Sequence, residues 1–455
     1  MTSFFGLARA GVTRFVRATR GDSFRRHFKN AGKLQLHRIF SSVVAAIQIA
    51  LVARYLSPHD YGVYGLILNT VQVVQGVLDV RCSELILRYY FQFQKDAAPG
   101  KSAAVLLLGG LFEVGVSLVG ALVLAMGAHS FSNSLLGLEG ADSLFLVAAL
   151  LPLSNLGSGL AASVLAIERA YGRLALADSL STIAGFVVML AVLPFTASIG
   201  LLLGIALLTQ MARGLLRWWF ILREGSETQR QLAYATSNPS CLRSLRGEAR
   251  ELVRFAFSNN LTALLKVIQG SVPNFVVGLL SGPVGVAYYF LGQRLGMRLS
   301  AFCAPVLEVA FREMAESRTT GQDEGRRRSL KHGIFLISAS MAPVVIGVIL
   351  LGSWSIPLVF GENYRSSVLP VQIVVGTYVA ALIASPYGSL LMAEGKVGWI
   401  NAAYAIGLLL QISTLVWLVP QWSSTGAAIA LAVFYLATDV VIFVGCHRLK
   451  RGQKS

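Results

Sequence analysis

The chain has 455 residues, 55% hydrophobic and only 13% charged, with a formal net charge of +17. Soluble domains carry about 25% charged residues, and a basic nucleic-acid binder gathers its Lys and Arg into one patch; here the basic residues flank long apolar runs, which excludes both classes. Residues 143–167, 179–212, 333–361 and 366–393 hold no Asp, Glu, Lys or Arg. Each is as long as the roughly 20 residues that span ~30 Å of hydrocarbon, and none alternates as a barrel strand does.

The N-terminal stretch SFFGLARAGVTRFVRATR (3–20) sets Phe4, Leu7, Phe15 and Val16 against Arg9, Arg14, Arg17 and Arg20. This is the pattern of a basic amphipathic helix on the inner leaflet, or of a basic cytoplasmic tail (1–38) that only enforces topology. It lacks the continuous apolar core of a secretory signal, and an organellar transit peptide shares its composition.

Twelve transmembrane helices are predicted to follow, making an all-α polytopic membrane protein. An N-lobe (39–222) holds 39–56, 63–80, 103–127, 143–166, 179–194 and 200–222, the last two separated by PFTASIG (194–200). A linker (223–255) leads to a C-lobe (256–446) with 256–280, 284–310, 333–357, 368–393, 400–419 and 427–446, before a short tail (447–455). All 39 Lys and Arg except Arg54, Lys266, Arg294, Arg298 and Arg365 fall in the tails or in alternate connections. The excess of positive charge on cytoplasmic loops then places both termini in the cytoplasm.

The chain repeats itself once. RYLSPHDYGVYG (54–65) is echoed by GLLSGPVGVAYY (278–289), and Gly137, Glu168, Gly172 and Gly200 match Gly361, Glu394, Gly398 and Gly426 at an offset of 224–226. Six helices per repeat is an even number, so the two lobes share an orientation and are related by an axis along the membrane normal. Facing bundles of this kind enclose a cleft. The glycines and prolines at these turns reverse the chain and need no ligand to explain them.

Four cysteines (Cys82, Cys241, Cys303, Cys446) and six histidines show no metal-ligand spacing. No nucleophile elbow, Walker loop or HExxH is present, so no catalytic residue, metal or cofactor is expected, and any active transport draws on a gradient. The chemistry lies in charges inside the membrane. Lys266 and Arg294 fall at similar depth in the seventh and eighth segments, and Arg298 lies one turn from Arg294 on the same face. A cation at mid-membrane costs ~2.5–3.5 kcal/mol on insertion scales. The few deep carboxylates are Glu113 and Asp439, with Asp79 and Glu308 nearer the inner face. The three cations therefore read as a wall for an anionic headgroup, which Arg binds bidentately and Lys as a point charge. The alternative is that Arg298 snorkels to the interface and Lys266 pairs with an acid. Asn259, Asn260, Gln269 and Gln293 are candidates for sugar contacts or for helix–helix contacts, and Glu113 and Asp439 for carrying coupling protons. Trp218 and Trp219 beside Arg217 read as an interfacial anchor.

RYLSPHDYGVYGLILNTVQVVQG (54–76) resembles the R-x-L-G-P-x-x-Y-G-x-Y signature of bacterial polysaccharide-biosynthesis membrane proteins through Arg54, Leu56, Pro58, Tyr61, Gly62 and Tyr64; Ser57 departs where Gly is usual. GPVGVAYYFLGQRL (282–295), FGENYRSSVLPVQIV (360–374) and STGAAIALAV (424–433) resemble later segments of the same family in the same order. The resemblance implies a flippase for polyprenyl-pyrophosphate-linked oligosaccharides in a bacterial cytoplasmic membrane. Its superfamily also holds multidrug extruders and peptidoglycan-precursor flippases, so the fold would be two-lobed, MATE-like and alternating in access. Expected partners are the lipid-linked substrate, membrane lipids and glycan-assembly proteins such as a polymerase. The rival readings are a cation-coupled multidrug extruder and a non-transporting scaffold for polysaccharide assembly.

Overall fold

A computed structural model describes the backbone of residues 22–78, 82–135, 137, 140–319, 323–394 and 396–452; the side chains of 22–38, 255–262 and most of 300–330 lie outside the description. So does the amphipathic stretch 3–20. Among the described residues there is helix and turn and no strand.

Helix α1 is Asp22–Tyr55, α2 Pro58–Leu78, α3 Cys82–Lys95 and α4 Pro99–Met126. Helix α5 comes in three pieces, Asp142–Ala148, Leu150–Ser154 and Ser158–Ile167, followed by α6 (Tyr171–Val192), α7 (Ile199–Glu224) and α8 (Glu227–Ser237). The stretch Ala249–Thr319 folds back at Gly282 (φ 70°, ψ −179°) into α9 (249–281) and α10 (283–319). Helices α11 (Asp323–Phe360) and α12 (Val368–Ala393) follow. Val397–Gly452 folds back at Ser423 (φ 47°) into α13 (397–422) and α14 (424–452).

Both reversals are closed by bonds across the hairpin. Gln293 Nε2 donates to the Gly270 carbonyl (2.6 Å) across Gly282, and Thr438 Oγ1 donates to the Ala403 carbonyl (3.4 Å) across Ser423. Gly282 is the residue type for that corner, since a positive φ costs glycine nothing. Each of the twelve predicted segments lies within one of α1, α2, α4–α7 and α9–α14, overrunning it by at most two residues, but several helices extend well beyond their segment, α1 by 17 residues and α11 by ten at the start. Nine stretches among the described residues are long and apolar enough to cross a membrane.

Three regions differ from the sequence expectation. Helix α1 begins at Asp22, so helix extends well into the 1–38 tail. Helix α7 (Ile199–Glu224) ends two residues past the predicted 200–222 and carries Arg213 and Arg217, which the count of basic residues assigned to a cytoplasmic connection although the predicted segment contains them. The basic connection 81–102 contains α3, whose buried residues Leu85, Ile86, Tyr89, Tyr90 and Phe93 form one helical face. The linker folds onto that face: Leu245 and Leu252 join Leu85, Tyr89 and Phe93 in one apolar cluster. Glu248 pairs with Lys101 (2.6 Å) and Tyr89 Oη donates to Glu251 (3.2 Å). Ion pairing of Arg173 with Glu224 and a Ser226–Glu168 hydrogen bond finish this end. The linker is thus fastened to the N-terminal half at the basic end of the bundle.

One internally repeated turn recurs atom for atom. Glu168 N–H donates to Val164 O (3.0 Å), Ala170 to Leu165 (2.8 Å) and Arg173 to Ala170 (3.0 Å). At an offset of 226 residues, Glu394 donates to Leu390 (3.0 Å), Lys396 to Leu391 (2.9 Å) and Trp399 to Lys396 (3.1 Å).

Candidate functional site

The seam between the two halves is built on α2. A Cβ on Gly62 would lie 1.8 Å from the Pro283 carbonyl oxygen, Gly65 receives the Phe290 ring and Gly76 receives Val267. Small residues permit such approach where lipid offers no hydrophobic drive to pack helices. At mid-length, Asn69 Nδ2 donates to the Ser271 carbonyl (3.0 Å), and Asn274 Nδ2 donates to Gln293 Oε1 (2.9 Å) and approaches Asn69 Oδ1 (3.4 Å).

One end of this seam is sealed by aromatic rings from both halves. Tyr61 meets Phe290 (centroids 5.7 Å apart) and Tyr364 (6.1 Å), and Tyr364 meets Tyr288 (6.2 Å). Arg54 donates to the Leu358 carbonyl (3.0 Å), and Tyr288 Oη to that of Asn363 (3.2 Å). This is the end opposite the docked linker.

Below the seal lies a cavity of about 270 Å³, lined by Asn69 and Gln72 of α2, Lys266, Val267, Gln269 and Gly270 of α9, Phe290, Gln293, Arg294 and Met297 of α10, and Tyr378, Tyr404 and Tyr435 of α12, α13 and α14. It holds two of the three predicted cations and two of the four predicted amides. Arg294 lies over the Phe290 ring (4.5 Å) and Lys266 Nζ near the Tyr404 ring (5.7 Å), contacts that favour a cation. No carboxylate reaches Arg294 within salt-bridge distance among the described residues, and no Asp or Glu lines the cavity.

Arg298 is not in the lining. It sits half-buried one turn toward the basic end, its Nε buried without a hydrogen-bond partner among the described residues. Gln293 lines the cavity but spends both ends of its amide on α9, so it positions the α9–α10 hairpin. Gln269 is 7% exposed, and its Nε2 is buried with no partner among the described residues. The side chains of Asn259 and Asn260 lie outside the described residues.

The carboxylates separate in role. Glu113 accepts from the backbone N–H of Gly159 (2.6 Å) and Leu160 (2.8 Å). It caps the third piece of α5 where the chain breaks at Gly157 (φ 71°), and meets the positive end of that helix. Replacing Glu113 by Ala strands those donors in an apolar bundle, at a cost of about 1–3 kcal/mol. Thermal unfolding of the purified variant is expected to show a lowered midpoint, with Gln closer to wild type; transport lost at an unchanged midpoint contradicts the capping role. Asp439 lies half-buried one turn from Tyr435 on α14, outside the lining.

The Trp218–Trp219 anchor divides. Trp219 is half exposed and stacks under Arg223 (5.4 Å), whereas Trp218 packs on Gly157. Arg217 turns inward to Asp178 (2.7 Å) and to the hydroxyl and carbonyl of Ser158 (2.9 and 3.0 Å). Sequence reasoning missed Asn69, Gln72 and the three tyrosines. Asn69 and Gln72 were visible as polar residues one turn apart in an apolar run; nothing in the sequence relates Tyr378, Tyr404 and Tyr435.

A helical membrane bundle whose halves meet around a cationic chamber has the form of a transporter fold, and solved structures share it. One is the inward-facing conformation of a multidrug resistance MATE family transporter of the MOP superfamily (TM-score 0.69, 14% identity, 92% of this chain and 99% of that one). Another is the lipid II flippase MurJ in an inward closed conformation (TM-score 0.68, 13% identity, 90% and 87%). An outward-facing MATE family transporter aligns at a TM-score of 0.59 (15% identity, 94% and 96%).

The chain belongs to the family described as "Polysaccharide biosynthesis protein", whose model matches residues 51–369. A Klebsiella pneumoniae protein described as an uncharacterized membrane protein in cps region is 26% identical over 160 residues, covering 35% of this chain and 33% of that relative. The match thus spans about a third of the relative's length. This is a multi-pass protein of the bacterial cytoplasmic membrane, with a transporter and flippase fold, in a polysaccharide-biosynthesis family.

Proposed function

We propose that this protein is a flippase that moves a polyprenyl-pyrophosphate-linked oligosaccharide from the inner to the outer leaflet by alternating access. In this reading the chain crosses the membrane twelve times with both termini cytoplasmic, and residues 39–222 and 256–446 act as the two lobes. The basic end faces the cytoplasm and the aromatic seal faces out. The carrying observation is the chamber: Lys266 and Arg294 line a cavity at the seam that has no acid in its lining among the described residues. The pyrophosphate is held there by charge while the prenyl chain stays in lipid. Arg298 lies on the approach from the basic end. Asp439, clear of the headgroup site, is the better placed of the two carboxylates to carry a coupling proton.

A cation-coupled multidrug extruder needs negative charge where its cargo sits, and the lining supplies the opposite. A scaffold needs no polar chamber inside the membrane. Partner proteins of glycan assembly, a polymerase among them, are expected at the membrane surface. Replacing Lys266 or Arg294 by Ala removes a charge-assisted contact worth about 1.5–3 kcal/mol, roughly ten- to a hundredfold in headgroup binding. Export of surface glycan at limiting substrate is expected to fall accordingly at unchanged protein level; unchanged export favours the scaffold.

A further inference from the structure

The chamber has two chemically different walls, and the cationic one alone does not account for the other. Three half-buried tyrosines from three successive helices, Tyr378, Tyr404 and Tyr435, converge on it. Tyr378 and Tyr435 lie with ring centroids 5.6 Å apart at 57°. Tyr404 sits where the walls join, with Lys266 Nζ 5.7 Å from its ring. Beside them, Gln269 carries a buried Nε2 donor with no partner among the described residues. A buried donor left unmade costs about 1–3 kcal/mol, so its presence on the lining points to a bound acceptor.

We infer that Tyr378, Tyr404, Tyr435 and Gln269 form a subsite for a pyranose ring next to the phosphate. This rests on the reading of the chamber as a headgroup site and extends it to the neutral part of the head. A phenol ring offers an apolar face to the C–H face of a sugar and a hydroxyl to its oxygens, and the Gln269 amide donates to a ring hydroxyl. A prenyl chain would leave the amides of Gln269 and Gln72 unsatisfied. A cavity of about 270 Å³ is smaller than the ~300–1,000 Å³ of drug-sized sites. It takes a ring and its phosphate and leaves the remaining sugars outside. Every residue of the subsite lies in the C-terminal half, with Lys266 and Arg294, so the head stays on that half when α2 moves away.

The test is binding of two probes to the purified full-length protein in nanodiscs: a short-chain prenyl pyrophosphate, bare and carrying one hexose. Wild type is expected to bind the glycosylated probe at least about fivefold more tightly. Tyr378→Leu and Tyr435→Leu are expected to abolish that difference while keeping affinity for the bare probe. Gln269→Leu guards against misfolding: removing an unsatisfied amide leaves the free protein as stable or more so, yet it is expected to weaken the glycosylated probe alone. Equal wild-type affinity for the two probes overturns the subsite and leaves the cationic headgroup site standing. Failure of wild type to bind either probe removes both.

Discussion

Substituting Gly62 by Leu is expected to abolish export, with protein still inserted in the membrane. Any side chain there meets backbone: even a Cβ would stand 1.8 Å from the Pro283 carbonyl oxygen and 2.5 Å from its carbon. Backbone cannot rotate aside as a side-chain tip can, so α2 and the α9–α10 turn must separate. The seal then opens, because Tyr61, one residue away, holds Phe290 and Tyr364. A transporter that cannot close one end leaks or locks, and either stops net movement. The closure has a direct readout. A cysteine placed at Gln72, exposed to the chamber, is expected to resist an impermeant thiol reagent from outside in the native background and to react in the Gly62→Leu background. Normal export, or protection unchanged in the variant, shows that this crossing is not the outer gate. Gly62→Ala is expected to give the same effect more weakly.

The second large effect concerns stability. Asp178 and Arg217 are 18% and 14% exposed, and Arg213 Nε stands 3.9 Å from the same carboxylate oxygen. Asp178→Asn leaves two guanidinium groups facing a neutral amide inside the bundle. Breaking a buried pair from one side costs about 3–5 kcal/mol, enough to consume much of a typical folding stability. Low membrane levels and a depressed thermal midpoint are expected. Replacing Arg217 by Met in the Asp178→Asn background removes the stranded charge and is expected to restore part of the loss, since Arg213 is one-third exposed and can reach the interface. Near-native stability of the single variant would mean the pair is solvated.

Particular residues show where sequence reading succeeded and where it stopped. Lys266 and Arg294 stood out because a charge in an apolar run is expensive, and that expense is a property of one position and its neighbours. They share a chamber because the chain reverses at Gly282. Gln293 and Gln269 looked alike in sequence; only the fold gives one both of its bonds and leaves the other's donor unmade. Glu113 read as a deep carboxylate free to titrate, but the break in α5 at Gly157 aims a helix terminus at it. Charge counting placed Arg217 in a loop because a sum over a segment cannot tell a side chain turned inward to Asp178 from one turned to water.

The sequence by itself determined the solvent, the centres of the long apolar helices and the internal duplication, but not α3, α8 or the start of α1, because hydropathy and turn chemistry act over windows of a few to twenty residues. The tertiary structure alone decided which cations face one another, that tyrosines from α12, α13 and α14 complete their chamber, and which end of the seam is shut. Those facts depend on residues as far apart as Gln72 and Tyr435. Helix packing brings such residues together, and no local pattern records the arrangement.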